Sequence, residues 1–130
     1  MHIANDWVRR LPLVCLRLAR ELYDWYKRPS TAELRGRKLL REWLSPQQVA
    51  QFDEYNYFDA TGSHTGKKYR IFLGKGMNVC ELDDAGRPQV GRCFIPDAEL
   101  VAGDAMLAQK IALETDELGA LAVAKNFAVR

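Results

Sequence analysis

YFDATGSHTGKKYRIFL, residues 57–73, places two short alternating runs on either side of Gly62-Ser-His-Thr-Gly66-Lys67. Two structures compete for it. A phosphate-cradling P-loop needs G-x-x-x-x-G-K-[S/T] between a strand and a helix, because backbone N–H groups and the helix N-terminus neutralise phosphate while a hydroxyl holds magnesium. Here the glycines are one residue too close, Lys68 stands where the hydroxyl belongs, and Tyr69 to Leu73 has the period of a strand. The stretch therefore reads as a β-hairpin whose loop glycines supply positive φ. No nucleotide is expected by the P-loop mechanism.

Downstream the period of two continues. Strands are expected at Tyr57 to Thr61, Tyr69 to Leu73, Asn78 to Asp83 and Gln89 to Ile95, divided by Gly-Lys-Gly and Asp-Asp-Ala-Gly-Arg-Pro as well as by the first loop. Connections this short exclude parallel crossovers, so the four strands form an antiparallel meander. Gly103-Asp104 opens a helix, with Asp104 as its cap, from Ala105 to about Thr115. A continuation from Asp116 or Glu117 runs helically to Phe127, and the alanine-rich pair packs on the sheet.

Upstream the period is 3.6. Pro12 to Arg28 reads as an amphipathic helix, with Cys15, Leu18, Ala19, Leu22, Trp25 and Tyr26 opposite Arg17, Arg20, Glu21 and Asp24. Pro29 stops it, and Ser30-Thr-Ala-Glu33 is a capping-box sequence for a second helix to about Leu44. That helix turns Leu40, Trp43 and Leu44 inward and Arg35, Arg37, Lys38 and Arg41 outward. Ser45-Pro-Gln-Gln48 repeats the grammar for a third helix, Pro46 to Tyr55, burying Val49 and Phe52. The expected organisation is an α+β chain: a helical arm over residues 1–44, then a small α+β domain over residues 45–130 with the meander and a C-terminal helix on it.

The 130 residues suffice for one core without staples, and 48% hydrophobic with 28% charged residues is ordinary for a soluble protein. No apolar run approaches the length of a transmembrane helix. Alternating charges through Arg9 to Arg28 do not resemble a secretory signal. Cys15, Cys80 and Cys93 form no C-x-x-C pair and suit free thiols in a reducing compartment, so a cytoplasmic location is expected.

Catalytic patterns are sparse. His64 lies at a loop tip with no sequence-local carboxylate or nucleophile, and His2 stands at the chain start. A loop over Asp84 to Gln89 would set Cys80 opposite Cys93, but with His64 that gives three metal ligands where a structural zinc site needs four. Asp83/Asp84 and Asp97/Glu99 read as solvated turn acids. No nucleophile elbow, H-E-x-x-H or Rossmann fingerprint occurs. No catalytic residue, metal or cofactor is assigned.

Binding has better support. Trp7, Leu18, Leu22, Tyr23, Trp25, Tyr26 and Trp43 give the arm more aromatic and apolar surface than one small sheet covers, and Trp, Tyr and Arg dominate protein interfaces. The expected function is a non-enzymatic protein-interaction or assembly module that self-associates through the arm. Charge suggests an alternative: residues 1–44 hold ten Lys/Arg against five Asp/Glu, residues 45–130 nine against twelve. Arg35, Arg37, Lys38 and Arg41 with Lys67, Lys68 and Arg70 around Tyr69 and Phe72 would then serve a small nucleic-acid-binding or regulatory protein.

The segments TGKKYRI, MNV, CFIP and GDAMLAQKIALETDE, spread over Tyr57 to Phe127, resemble short uncharacterised bacterial proteins in which a β-meander precedes a Leu-Ala-Gln-Lys helix. The resemblance implies a bacterial origin and a compact recurring module. It contributes no catalytic residue.

Overall fold

The computed structural model describes residues 13–94 and 99–129. The chain divides into two compact units, one ending at Ser30 and one beginning at Thr31. The first contains helix α1, Leu13–Lys27. Its apolar side chains from Val14 to Tyr26 span an arc of about 200° at 3.6 residues per turn.

The second unit holds α2 (Thr31–Trp43), α3 (Pro46–Tyr55), β1 (Tyr57–Thr61), β2 (Lys68–Phe72), β3 (Val79–Leu82), β4 (Pro88–Cys93), α4 (Ala102–Thr115), α5 (Glu117–Val123) and β5 (Lys125–Ala128). All five strands are antiparallel and lie in the order β1-β2-β3-β4-β5. The α+β class and the antiparallel sheet follow the sequence reading; the strand number does not. A fifth strand replaces the end of the expected C-terminal helix, which stops at Val123 because Ala124 turns extended. The reason is tertiary: β5 sets Phe127 opposite Gly91, and the ring takes the space that a β-carbon on Gly91 would occupy.

Strand alternation makes one sheet face the core. Phe58, Tyr69, Ile71 and Val79 are buried there against Met106 and Leu113 of α4 and Leu40 of α2. Each large apolar side chain so enclosed contributes about 2 kcal/mol. Leu40 and Leu44 point inward as expected, but Trp43 is 61% exposed and Arg37, expected outside, is half-buried. The inward stripe of α2 runs through Gly36, Leu40 and Leu44, which leaves Trp43 at its margin.

Gly103 lies within α4 and does not punctuate its start. Val101 is the N-cap, without a side-chain cap bond, and Asp104 sits in the first turn. A β-carbon at 103 would meet the Gly36 carbonyl carbon at 2.2 Å, so the pair of glycines lets the backbones of α2 and α4 touch. The cap at α3 is the expected one. Ser45 Oγ accepts the Gln48 N–H at 3.2 Å, and Gln48 Oε1 accepts the Ser45 N–H at 3.0 Å.

α3 also closes an edge. β1 is an outer strand, and Asp59 would present an unpaired backbone to water. Gln51 Oε1 accepts its N–H at 2.9 Å and Gln48 Nε2 donates to its carbonyl at 2.9 Å. Gln48 is buried and also donates to Glu114 of α4 at 3.1 Å, so one side chain joins helix, strand and second helix.

Candidate functional site

The loop between β1 and β2 does hold an anion, and the anion belongs to the chain itself. Glu117, the first residue of α5, is fully buried with its carboxylate inside residues 62–66. Oε1 accepts the N–H of His64 at 2.9 Å and of Thr65 at 2.7 Å, while Oε2 accepts the Thr65 hydroxyl at 2.6 Å and the Tyr69 hydroxyl at 2.5 Å. Successive backbone N–H groups aimed at one point form an anion nest. Gly66 at φ +74° gives the loop its return, and Gly62 is bare because a β-carbon there would lie 2.3 Å from the carboxylate.

Ser63 ties the same loop to both helices. Its N–H donates to the Leu113 carbonyl near the end of α4 at 3.0 Å, and its hydroxyl accepts the Glu117 N–H at 3.0 Å. Both partners are terminal helix groups that α-helical bonding leaves open. Burial pushes the Glu117 carboxyl up, but the Thr65 and Tyr69 hydroxyls with the two N–H groups outweigh it and hold it at about 2. Burial and the bond to Glu117 raise Tyr69 far above a free phenol. At neutral pH the pair is a fixed carboxylate and a fixed donor, which suits a structural lock and no proton transfer. The His64 ring takes no part, since only its backbone reaches Glu117.

Beside the lock lies a second buried carboxylate. Glu81, opposite Tyr69 in the sheet, receives Lys67 at 2.9 Å and Arg92 at 2.6 Å, and Arg92 continues to Asn126 of β5. Burial opposes ionisation there, yet the two cations bring the carboxyl below its usual range. Across the core, Asn78 and Gln109 exchange two amide bonds of 2.9 Å while Asn78 also donates to the Phe72 carbonyl at 2.9 Å, so α4 is fastened to the β2–β3 turn.

The other face of the sheet is mixed. Arg70 pairs with Asp59 through two bonds of 2.8 and 3.1 Å and lies 4.2 Å above the Tyr57 ring, which stacks on Tyr55 at 5.2 Å and meets the edge of Phe72 at 5.3 Å. Lys68 donates to Thr61 at 2.6 Å and lines, with Arg70, a cleft of about 390 Å³ that also contains Asp59, Asp83 and Asp84.

The expected basic surface is thereby divided. Lys67 reaches Glu81 on the core side, Lys68 and Arg70 point to the other side, and Arg41 pairs with Asp53. Tyr69, expected beside them for base stacking, is buried in the lock. Arg35 and Lys38 are exposed on α2. Cys80 faces Gly91, and Cys93 faces Lys125, so the two thiols are not opposed; a tighter turn and a register shift between Glu81 and Leu82 account for the offset. Among the described residues, no three His, Cys, Asp or Glu side chains gather as a metal site.

α1 presents the expected apolar stripe to the exterior. Leu18 is 53% exposed, Leu22 65%, Trp25 69% and Tyr26 78%, with Tyr23 exposed beside them. Trp7, His2 and Asp97 lie outside the described residues. No helix among the described residues is long and apolar enough to cross a membrane. Compared with known proteins, the chain matches no family model, no curated protein and no solved structure.

Proposed function

We propose that the protein is a non-enzymatic interaction module that binds a protein partner through the apolar face of α1. One observation carries the reading: Leu18, Leu22, Trp25 and Tyr26 all leave at least half of their surface in water. At about 25 cal/mol per Å² of apolar area, covering these four side chains supplies several kcal/mol of association free energy. Trp and Tyr lose little rotamer entropy on docking, which makes them the usual anchors of an interface. The buried polar groups of the second unit support this reading from the other side, because Glu117, Glu81, Asn78 and Gln109 are engaged in holding elements together.

The test is the native mass of the full chain purified from its own cells without denaturant. A particle well above the 14.8 kDa of one chain is expected, and Leu18→Glu with Leu22→Glu returns it to that mass while the far-ultraviolet spectrum stays the same. A wild-type particle of 14.8 kDa that the double substitution leaves unchanged rejects the reading.

A further inference from the structure

α4 and α5 are separated by Asp116 alone. Asp116 lies at φ −146°, ψ 64°, outside the helical region. Yet its N–H donates to the Ala112 carbonyl at 2.8 Å and its carbonyl accepts the Ala120 N–H at 2.9 Å, both bonds of an α-helix. Neither proline nor glycine stands between Leu113 and Leu118. What interrupts the helix is a residue from the 62–66 loop. The Leu113 carbonyl and the Glu117 N–H are the i−4 and i groups that a continuous helix would join. Ser63 stands between them, its N–H on the carbonyl and its hydroxyl on the N–H, each at 3.0 Å.

We propose that α5 and β5 form a releasable strap: when Ser63 withdraws, α4 and α5 close into one helix through Asp116, Glu117 leaves the loop and β5 leaves β4. The inference concerns the second unit alone and stands apart from the interaction reading above.

Little core is at stake in the exchange. In α5 only Glu117 and Ala120 are buried, with Leu121 partly covered, and in β5 only Phe127 is half-buried. Met106 and Leu113 stay on the sheet in both arrangements, because they belong to α4 before the break. Straightening gives up the four bonds to the Glu117 carboxylate and the β4–β5 ladder, and it returns the Glu117 N–H to the Leu113 carbonyl. Release uncovers the edge of β4 and the bare face of Gly91, against which the Phe127 ring rests.

Gly119 serves the kinked form specifically. The Asp116 carboxylate caps α5 by accepting the Gly119 N–H at 3.2 Å, and a β-carbon at 119 would lie 2.2 Å from that carboxylate. In a straight helix the Asp116 side chain turns to solvent, and alanine at 119 meets no cap.

Native-state hydrogen exchange on the full chain tests the strap. The His64 and Thr65 amides, which bond Glu117, and the bonded amides of the β4–β5 ladder should share one opening, populated at least about 100-fold more than that of core amides on β2 and α4. Gly119→Ala removes the Asp116 cap from the kinked form alone and should raise that population about fivefold. The direction of the change is read in Ser63→Ala with Glu117→Leu. Carbon chemical shifts over 115–119 should there become helical without a break, and the amide at position 117 should gain protection. Exchange of His64 and Thr65 only with the core amides overturns the inference, and so does an opening that Gly119→Ala leaves unchanged. A double variant in which 117–123 loses its helical shifts overturns it as well, since the strap then melts where it should straighten. One in which Asp116 keeps its non-helical shifts does the same.

Discussion

The Tyr69 hydroxyl, on the second strand of the sheet, donates to the Glu117 carboxylate at the start of α5 across 2.5 Å, and both residues are fully buried. The bond joins the middle of the sheet to the last helix. Around it the 62–66 loop gives two backbone N–H groups, those of His64 and Thr65, to the same carboxylate.

Acid should undo this lock in a defined window. The Glu117 carboxyl titrates at about 2 when folded and near 4.3 in an unfolded chain. A depressed folded value means that its contribution is complete above about pH 4.3 and is lost as pH falls toward 2. The contribution is about 3 kcal/mol. Denaturant titrations between pH 6 and 2 should show that loss in wild type and a much flatter profile in Glu117→Gln, although Glu81 and Asp83, whose carboxyls are also lowered, retain some slope.

Gly62 and Glu117 should be energetically coupled. A methyl at 62 would lie 2.3 Å from the carboxylate, so Gly62→Ala alone should cost about 3 kcal/mol by overpacking. In a Glu117→Ala background the same substitution enters vacated space and should cost under about 1 kcal/mol. A double-mutant cycle from urea midpoints measures the difference, and additive costs would contradict the packing described.

Gly103→Ala opposes helix propensity to backbone contact. Alanine favours a helix interior by about 1 kcal/mol, but its methyl would stand 2.2 Å from the Gly36 carbonyl carbon, and a helix backbone cannot step aside as a side chain can. Contact wins, and a net loss of about 3 kcal/mol is expected. A thermal midpoint equal to or above wild type would show that α2 and α4 separate more easily than their crossing implies.

Gln48→Leu preserves size and removes the amide that donates to the Asp59 carbonyl and Glu114 and accepts from Ser45. Several buried polar groups lose their partner, and about 3 kcal/mol of stability should go with them. The same change uncovers the β1 edge, so light scattering on heating should begin at a lower temperature.

Nucleic acid should bind weakly if at all through the central hairpin. Lys67 and Arg70 are held by Glu81 and Asp59, and three carboxylates share the cleft with Lys68 and Arg70. Mobility shifts with single-stranded DNA or RNA at low ionic strength check this; a shift that falls steeply with salt and disappears in Lys68→Ala would restore that role.

What the sequence disclosed was what neighbours decide. The capping box at Ser45, the helix ends at Pro29 and Tyr55, and the reading of 57–73 as a hairpin each depend on residues within one turn or one loop. The lock was hidden because Glu117 follows its loop by more than fifty residues and looks, in its own segment, like an ordinary acidic residue opening a helix. Lys125 to Phe127 carried no strand signal strong enough to interrupt the helical period; β5 exists because Gly91 leaves room for Phe127. Asn78 read as the first residue of a strand, and its partner Gln109 lay thirty-one residues away. The facing of Cys80 and Cys93 failed because the β3–β4 turn is tighter than expected, which after the irregular step at Glu81/Leu82 leaves the register two residues off and sets Cys80 opposite Gly91.

The loop at 62–66 also sets an order of events during synthesis. While the ribosome is still translating α4, the hairpin can close, yet the donors of His64, Thr65 and Tyr69 have no acceptor until residue 117 has emerged. The nascent chain therefore carries an open, proteolysable loop from the time Gly66 is made until Glu117 follows it, and the loop is sealed only when that carboxylate arrives. Stalled chains ending at Thr115 should be nicked there, and chains released after Val123 should not.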